Sequence, residues 1–139
     1  TSYKGDITKE FICSLHKKLT HNILREDSGV FRNVQVFIGG ADFIPPKPNE
    51  VKSEFKELMS WYKKNKENHH PIVIASYMHT AFEAIHPFID GNGRVGRLII
   101  AYILKKAKYP ILIIEHKKRK SYYYALTKSE NDFFNYFII

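Results

Sequence analysis

The sequence predicts an all-α domain that carries one small β-hairpin. Three observations lead there. Apolar residues recur at helical spacing through most of the chain. One short stretch, Val34, Val36 and Ile38, alternates instead, and Gly39-Gly40, Phe43-Ile44 and Pro45-Pro46 follow it in the order strand, turn, short strand, stop. The 139 residues, 44% hydrophobic and 26% charged, are enough for one globular domain and too apolar for a disordered chain.

The elements follow in order. Ile7, Phe11, Leu15, Leu19 and Ile23 recur at i+4 and predict a first helix, with Asp6 or Thr8 as its cap. The hairpin spans Val34 to Pro46. Val51, Phe55, Leu58 and Tyr62 form the apolar stripe of a second helix after Pro48 and Asn49. Pro71, favoured at a first helical position, opens a third, almost wholly apolar helix that runs to Ile85 and should be central. Pro87 ends it, because the residue before a proline is pushed out of the α region. A fourth helix starts near Asn92 or Gly93 and continues to Lys106, with Leu98 to Leu104 apolar all round and therefore core. Ile111 to Ile114 reads as a short strand or a buried connection, Ser121 to Lys128 as a fifth helix and the apolar tail as a short sixth. That tail and the start at Thr1 suggest one domain, 1–139, cut from a longer protein.

Composition excludes several classes. No apolar run is long enough to span a bilayer. The polar start is not a signal peptide. A single cysteine, Cys13, cannot form an internal disulfide, which fits a reducing, cytoplasmic compartment. The net charge of +8 points to an anionic ligand or partner without saying which.

The chemistry is concentrated in His86-Pro87-Phe88-Ile89-Asp90-Gly91-Asn92-Gly93-Arg94-Val95-Gly96-Arg97. Two glycines flank Asn92 where a loop enters a helix, so the backbone can turn sharply and come close to a ligand. The unpaired N–H groups and the dipole of that helix N-terminus attract an anion. Arg94 and Arg97, three apart, share a face and suit a polyphosphate. Asp90 beside phosphates is repulsive unless a divalent cation lies between; Mg²⁺ commonly takes one or two carboxylates plus substrate phosphates. His86 is the nearby group able to accept a proton near neutral pH. A lone Gly-Asn-Gly is usually only a turn, a lone arginine usually a solvated side chain, and a histidine before proline often only a helix cap. The whole set within twelve residues points instead to phosphoryl or nucleotidyl transfer.

Other patterns are weaker. Gly91, Gly93 and Gly96 satisfy G-x-G-x-x-G, with Glu115 after Ile111 to Ile114, but the residues before Gly91 are helical in pattern and carry Pro87, against a dinucleotide-binding βαβ unit. No P-loop sequence occurs. His79, Glu83 and His86 share a helical face, yet further ligands at matching spacing are lacking, so His79 reads as a hydrogen-bonded core histidine. Lys117-Lys118-Arg119-Lys120 reads as a solvated loop rather than a nucleic-acid patch.

The twelve-residue segment resembles the signature of the Fic family, H-x-F-x-[DE]-G-N-G-R-x-x-R, at every specified position. Gly29-Val30-Phe31-Arg32, the Val36–Pro46 hairpin, Ala75, His79 and Ile85, and Tyr122-Tyr123 with Ala125-Leu126 resemble the family's lead-in, flap, central helix and C-terminal helix. The resemblance implies a Fic-type helical bundle that transfers AMP from Mg-ATP to a Ser, Thr or Tyr hydroxyl of a target protein and releases pyrophosphate. It implies His86 as general base, Asp90 holding Mg²⁺, and Asn92 with the Gly91 and Gly93 backbone as anion hole. Arg94 and Arg97 would bind the β- and γ-phosphate regions, Phe88 would anchor the core and Tyr123 would lie near adenine. The flap, Val36, Phe37, Ile38, Gly39 and Gly40, would dock the target segment by strand addition. Gly93 stands where a kinase-like subgroup carries lysine, which favours AMP transfer. The family's inhibitory [S/T]-x-x-x-E-[G/N] helix is not matched at Glu130-Asn131, since Leu126 stands where Ser or Thr belongs. An inhibitory segment upstream or on a partner chain is expected instead. Alternatives are transfer of UMP or GMP, removal of AMP from a modified protein, or a basic nucleic-acid-binding module.

Overall fold

The computed structural model describes residues 5–110. Four α-helices account for most of them: α1 (Lys9–Leu24), α2 (Pro48–Asn65), α3 (Pro71–Ile85) and α4 (Asn92–Lys106), with a 3-10 turn at Arg25–Asp27. The fifth and sixth helices, Ile111 to Ile114, the Lys117 to Lys120 run, Tyr123 and Glu130-Asn131 all lie outside the described residues.

α3 is central, packed against α4 on one side and α2 on the other, while α1 lies on α4. Its buried face, Ile74, Ala75, Met78, Phe82 and Ile85, meets Val51, Phe55, Leu58 and Tyr62 of α2 and Val95, Ile99, Ile100 and Ile103 of α4 in one core. Phe88, fully buried, joins this core from the loop between α3 and α4. Leu98 departs from the all-round apolar reading of α4 and is 38% exposed, because a helix with neighbours on only some sides leaves one face to solvent.

Helix starts follow local chemistry. Thr8 caps α1, its side chain accepting from the Phe11 N–H at 3.1 Å. Pro48 and Pro71 each sit in a first turn, and Glu50 reaches back to the Lys47 N–H at 2.8 Å. Asp6 does not cap; it ties the start of the chain to Tyr62, Lys66 and Lys106.

α1 forms where the apolar spacing predicts a helix, and its buried face does not follow the i+4 row. A strict i+4 row drifts about 40° per step around a helix of 3.6 residues per turn, so Phe11 and Ile23 cannot share a face. The buried positions are Ile12, His16 and Thr20, whereas Ile23 is 67% exposed. Two of the three are polar, and their partners lie at the site described next.

The expected β-hairpin over Val34 to Pro46 is not formed. The segment has no strand, and one backbone hydrogen bond, Ala41 N–H to the Ile38 carbonyl at 3.2 Å, closes a turn with Gly40 at φ +80°. Pro45 and Pro46 have no N–H to give a ladder. Side chains hold the arms instead. Gln35 donates to the Pro45 carbonyl at 3.0 Å, and Arg32 to the Val34 and Pro46 carbonyls at 3.0 and 2.7 Å.

Candidate active site

The loop from His86 to Gly91 is built by a few short-range bonds. His86 closes α3 in the left-handed region, φ 50° and ψ 60°, its N–H bonded to the Phe82 carbonyl at 2.9 Å. A non-glycine residue in that conformation costs about 1–2 kcal/mol, the kind of local strain that accumulates at functional positions. Asn92 then staples the loop from inside: its Oδ1 accepts from the Phe88 N–H at 2.9 Å, and its Nδ2 donates to the Phe88 carbonyl at 2.7 Å. The ring of Phe88 stacks on His16, centroids 3.8 Å apart. Gly91, at φ +83°, opens α4, and no side chain caps that helix. Its first N–H groups therefore remain available to an anion.

His16 is a bracing residue of the site that periodicity missed. Its Nδ1 accepts from the Gly29 N–H at 2.9 Å, which leaves Nε2 as the protonated nitrogen, and that one donates to the Asp90 carbonyl at 2.8 Å. Thr20 and Ser28, bonded to each other at 2.7 Å, brace the same corner. No local pattern announces it, because its partners lie 74 and 13 positions away.

A cavity of about 430 Å³ opens between the loop, α3, the start of α4 and the segment 37–43. It brings together His86, Asp90, Gly91, Asn92, Gly93, Arg94 and Arg97, every proposed site residue of the motif. Phe37, Ile38, Gly39 and Gly40 form its opposite wall, and Val36 is not among the residues lining it. Thr80 and Glu83 of α3 complete the lining.

The tautomer of the His86 imidazole follows from its neighbours. Its Nδ1 lies 3.3 Å from the Glu83 carbonyl, which can only accept, so Nδ1 carries the hydrogen and Nε2 stays bare. Burial lowers its pKa, and the Arg32 charge adds to that, against the Glu83 carbonyl and Asp90, which raise it. The ring is thus neutral near pH 7.

Glu83 is buried between His79, Gly96 and His86, 3.9 Å from His86 Nδ1, with one carboxyl oxygen making no hydrogen bond among the described residues. Burial pushes its pKa up to about 7, opposed by Arg97. Gly96 makes room for it: a Cβ there would come within 2.2 Å of the carboxyl. The third glycine of the apparent dinucleotide motif is thus a packing notch between α3 and α4. His79, fully buried beside it, has its pKa pushed down to about 3 by burial and by Arg97, although a bond with the Gly96 backbone opposes this. It is the core histidine expected.

Asp90 is exposed, one oxygen accepting from the Gly91 N–H at 2.7 Å. Among the described residues no group of three or more His, Cys, Asp or Glu could hold a metal. A single carboxylate suits Mg²⁺ only when phosphate oxygens supply further ligands, and the neighbouring anion cradle is where they would come from. No described helix is long and apolar enough to cross a membrane.

Known proteins resemble this chain in sequence and in fold. The sequence profile of the Fic/DOC family matches residues 6–104. Curated relatives named protein adenylyltransferase Fic, from Drosophila grimshawi and Drosophila melanogaster, are each 36% identical over 124 residues, 88% of this chain and 25% of theirs. The chain therefore spans about a quarter of the length of these relatives. Among solved structures, a Fic-domain-containing signalling protein from Bacteroides thetaiotaomicron superposes with a TM-score of 0.85 at 24% identity, over 96% of this chain and 59% of that one. Fic-1 from C. elegans (residues 134–508, E274G) gives 0.82 at 26% identity, over 94% and 39%.

Proposed function

Since the chain belongs to the Fic/DOC family, we propose that it is a protein adenylyltransferase domain, moving AMP from ATP to a hydroxyl side chain of a target protein. The observation that carries the reading is the convergence on one cavity of a neutral imidazole, an uncapped helix N-terminus behind a glycine turn, and two arginines.

The chain's own residues take these parts. The amides of Gly91 to Gly93 and the dipole of α4 cradle the phosphates. Arg94 and Arg97, one turn apart, clamp the β- and γ-phosphates and hold the leaving pyrophosphate. Asp90 would hold Mg²⁺, which when bound offsets charge on the phosphates. His86 Nε2 takes the proton of the incoming hydroxyl. The hydroxyl oxygen bonds to the α-phosphorus, and the bond from that phosphorus to the β-bridging oxygen breaks. Asn92 fixes the loop that aims these groups.

Segment 36–40 would receive the target. Its main chain makes almost no internal hydrogen bonds, so an extended peptide could add to it and meet His86 across the cavity. Tyr123 near adenine, and an inhibitory segment supplied from upstream or by a partner, belong to the same proposal.

Mass spectrometry of the protein and of lysate proteins after incubation with ATP and Mg²⁺ tests it. AMP should appear on a hydroxyl side chain. His86→Ala should cut transfer by about 10²–10⁴-fold, as expected for a lost general base, with nucleotide binding retained. Label from UTP or GTP but not ATP, or transfer that survives His86→Ala, would overturn it.

A further inference from the structure

Arg32 is 5% exposed and, among the described residues, faces no carboxylate in any hydrogen bond. Its guanidinium is spent on backbone carbonyls. Nε donates to His86 at 2.6 Å, Nη2 to Ile85 at 3.2 Å and to Pro46 at 2.7 Å, and Nη1 to Val34 at 3.0 Å. Its own N–H donates to the Pro87 carbonyl at 2.9 Å. Two of the side-chain acceptors are the last carbonyls of α3, where the helix dipole is negative and a cation is favoured. The other two are the two arms of the segment that walls the cavity opposite His86.

A buried cation with this set of partners costs desolvation that no ion pair offsets, so the four bonds it makes need a reason. The arms have no strand ladder, and His86 sits in a strained left-handed conformation just before a proline. Neither would hold its place without external support.

We propose that Arg32 is a positioning residue that locks the flap arms and the backbone of His86 into one unit, so that a hydroxyl carried by the flap meets the imidazole at a fixed distance. The inference rests on the reading of His86 as the base, and it goes beyond that reading by coupling target docking to catalysis through one side chain. A lysine cannot replace it: an ammonium has three donors on one atom and cannot span four carbonyls on two sides.

The charge of Arg32 also reaches His86, which is faced in addition by Glu83 from α3, Asp90 from the turn, and Arg94 and Arg97 across the cavity. Arg32→Met removes both bonds and charge; Arg32→Lys keeps the charge and loses the geometry. Two readouts are independent of transfer activity: backbone 15N order parameters over 34–44, and NMR titration of the His86 imidazole. The order parameters should fall to about 0.6 or below in both variants. The His86 titration should move to higher pH in Arg32→Met and stay near its native position in Arg32→Lys. Nucleotide affinity should stay within about threefold in both, because the phosphate cradle lies beyond the residues Arg32 contacts. Native order parameters over 34–44 in either folded variant, or an unmoved titration in Arg32→Met, overturns the proposal. If Arg32→Met fails to fold, the order parameters of Arg32→Lys decide. If the native protein transfers no AMP, the proposed function fails while these readouts still judge Arg32.

Discussion

The two walls of the cavity are built on opposite plans. The motif loop, 86–92, is fixed many times over: by Asn92 from within, by His16 and Phe88 from below, by Arg32 from the side, and by a left-handed turn at Gly91. The facing segment, 33–47, has one internal backbone bond, is held by the side chains of Arg32 and Gln35, and presents Phe37 and Ile44 at 72% and 71% exposure. The difference matches two kinds of recognition. Polyphosphate is one chemical species and rewards a preorganised cradle. A polypeptide target varies in side chains, so a wall offering free main chain and one or two apolar contacts is sufficient.

The comparison breaks first at Arg97. If the motif side is a rigid phosphate cradle, Arg97→Ala should lose a charge-assisted contact of about 1.5–3 kcal/mol, equivalent to roughly 10–100-fold in ATP affinity. Titration calorimetry with ATP and Mg²⁺ measures it, and the affinity for a target peptide should change far less. Equal losses for both ligands would mean that the two walls do not divide the labour.

The contrast also explains what could be read from the sequence. α3 and α4 were legible to within a residue or so, and α2 through its apolar stripe after Pro48, because their apolar positions and their prolines and glycines act locally. The motif residues were legible because they are contiguous. His16 and Arg32 were not, since their bonds span 74 and 54 positions and nothing nearby announces them. Arg32 was visible only as part of a tetrapeptide that resembled a family lead-in. The segment 34–46 was read as a hairpin from its alternation and its Gly-Gly, yet its second arm ends in prolines, and the ladder bonds that the pattern promised are replaced by Arg32 and Gln35. Ile23 belongs to an i+4 row that predicted a helix, and the drift of a real helix carries it to solvent.

A smaller effect sharpens the rigid side of the comparison. Glu83 titrates near 7 in the folded protein against 4.5 in an ordinary carboxyl, so the folded state binds its proton more tightly. Its contribution to stability is complete below about pH 4.5 and is lost as pH rises through 7, by at most about 3 kcal/mol. His79 acts on the other side: its depressed pKa costs stability as pH falls from 6.5 toward 3. Glu83→Gln keeps the shape in the Gly96 notch and removes the ionisation. Urea unfolding at pH 5 and pH 8 should show Glu83→Gln gaining stability relative to the native protein as pH rises, a difference in which the His79 contribution cancels. Parallel pH profiles would place the Glu83 carboxyl in contact with water, not in the dry interior.

The smallest effect on folding belongs to the other wall. Phe37 lines the cavity yet is 72% exposed, so its ring contributes little to the core. Phe37→Ser should change unfolding free energy by no more than about 0.5 kcal/mol, as surface substitutions do. Its ring is the main apolar surface that segment 36–40 offers an incoming peptide, and burying it there should be worth about 1.5–3 kcal/mol. The variant should therefore raise KM for a protein target roughly tenfold or more while the melting temperature stays within a degree or two. A large drop in stability would show that Phe37 supports the fold, and the contrast between a wall that is braced and a wall that waits for its ligand would be lost. An unchanged target KM would move docking away from this turn and toward the exposed Ile44 on the opposite arm.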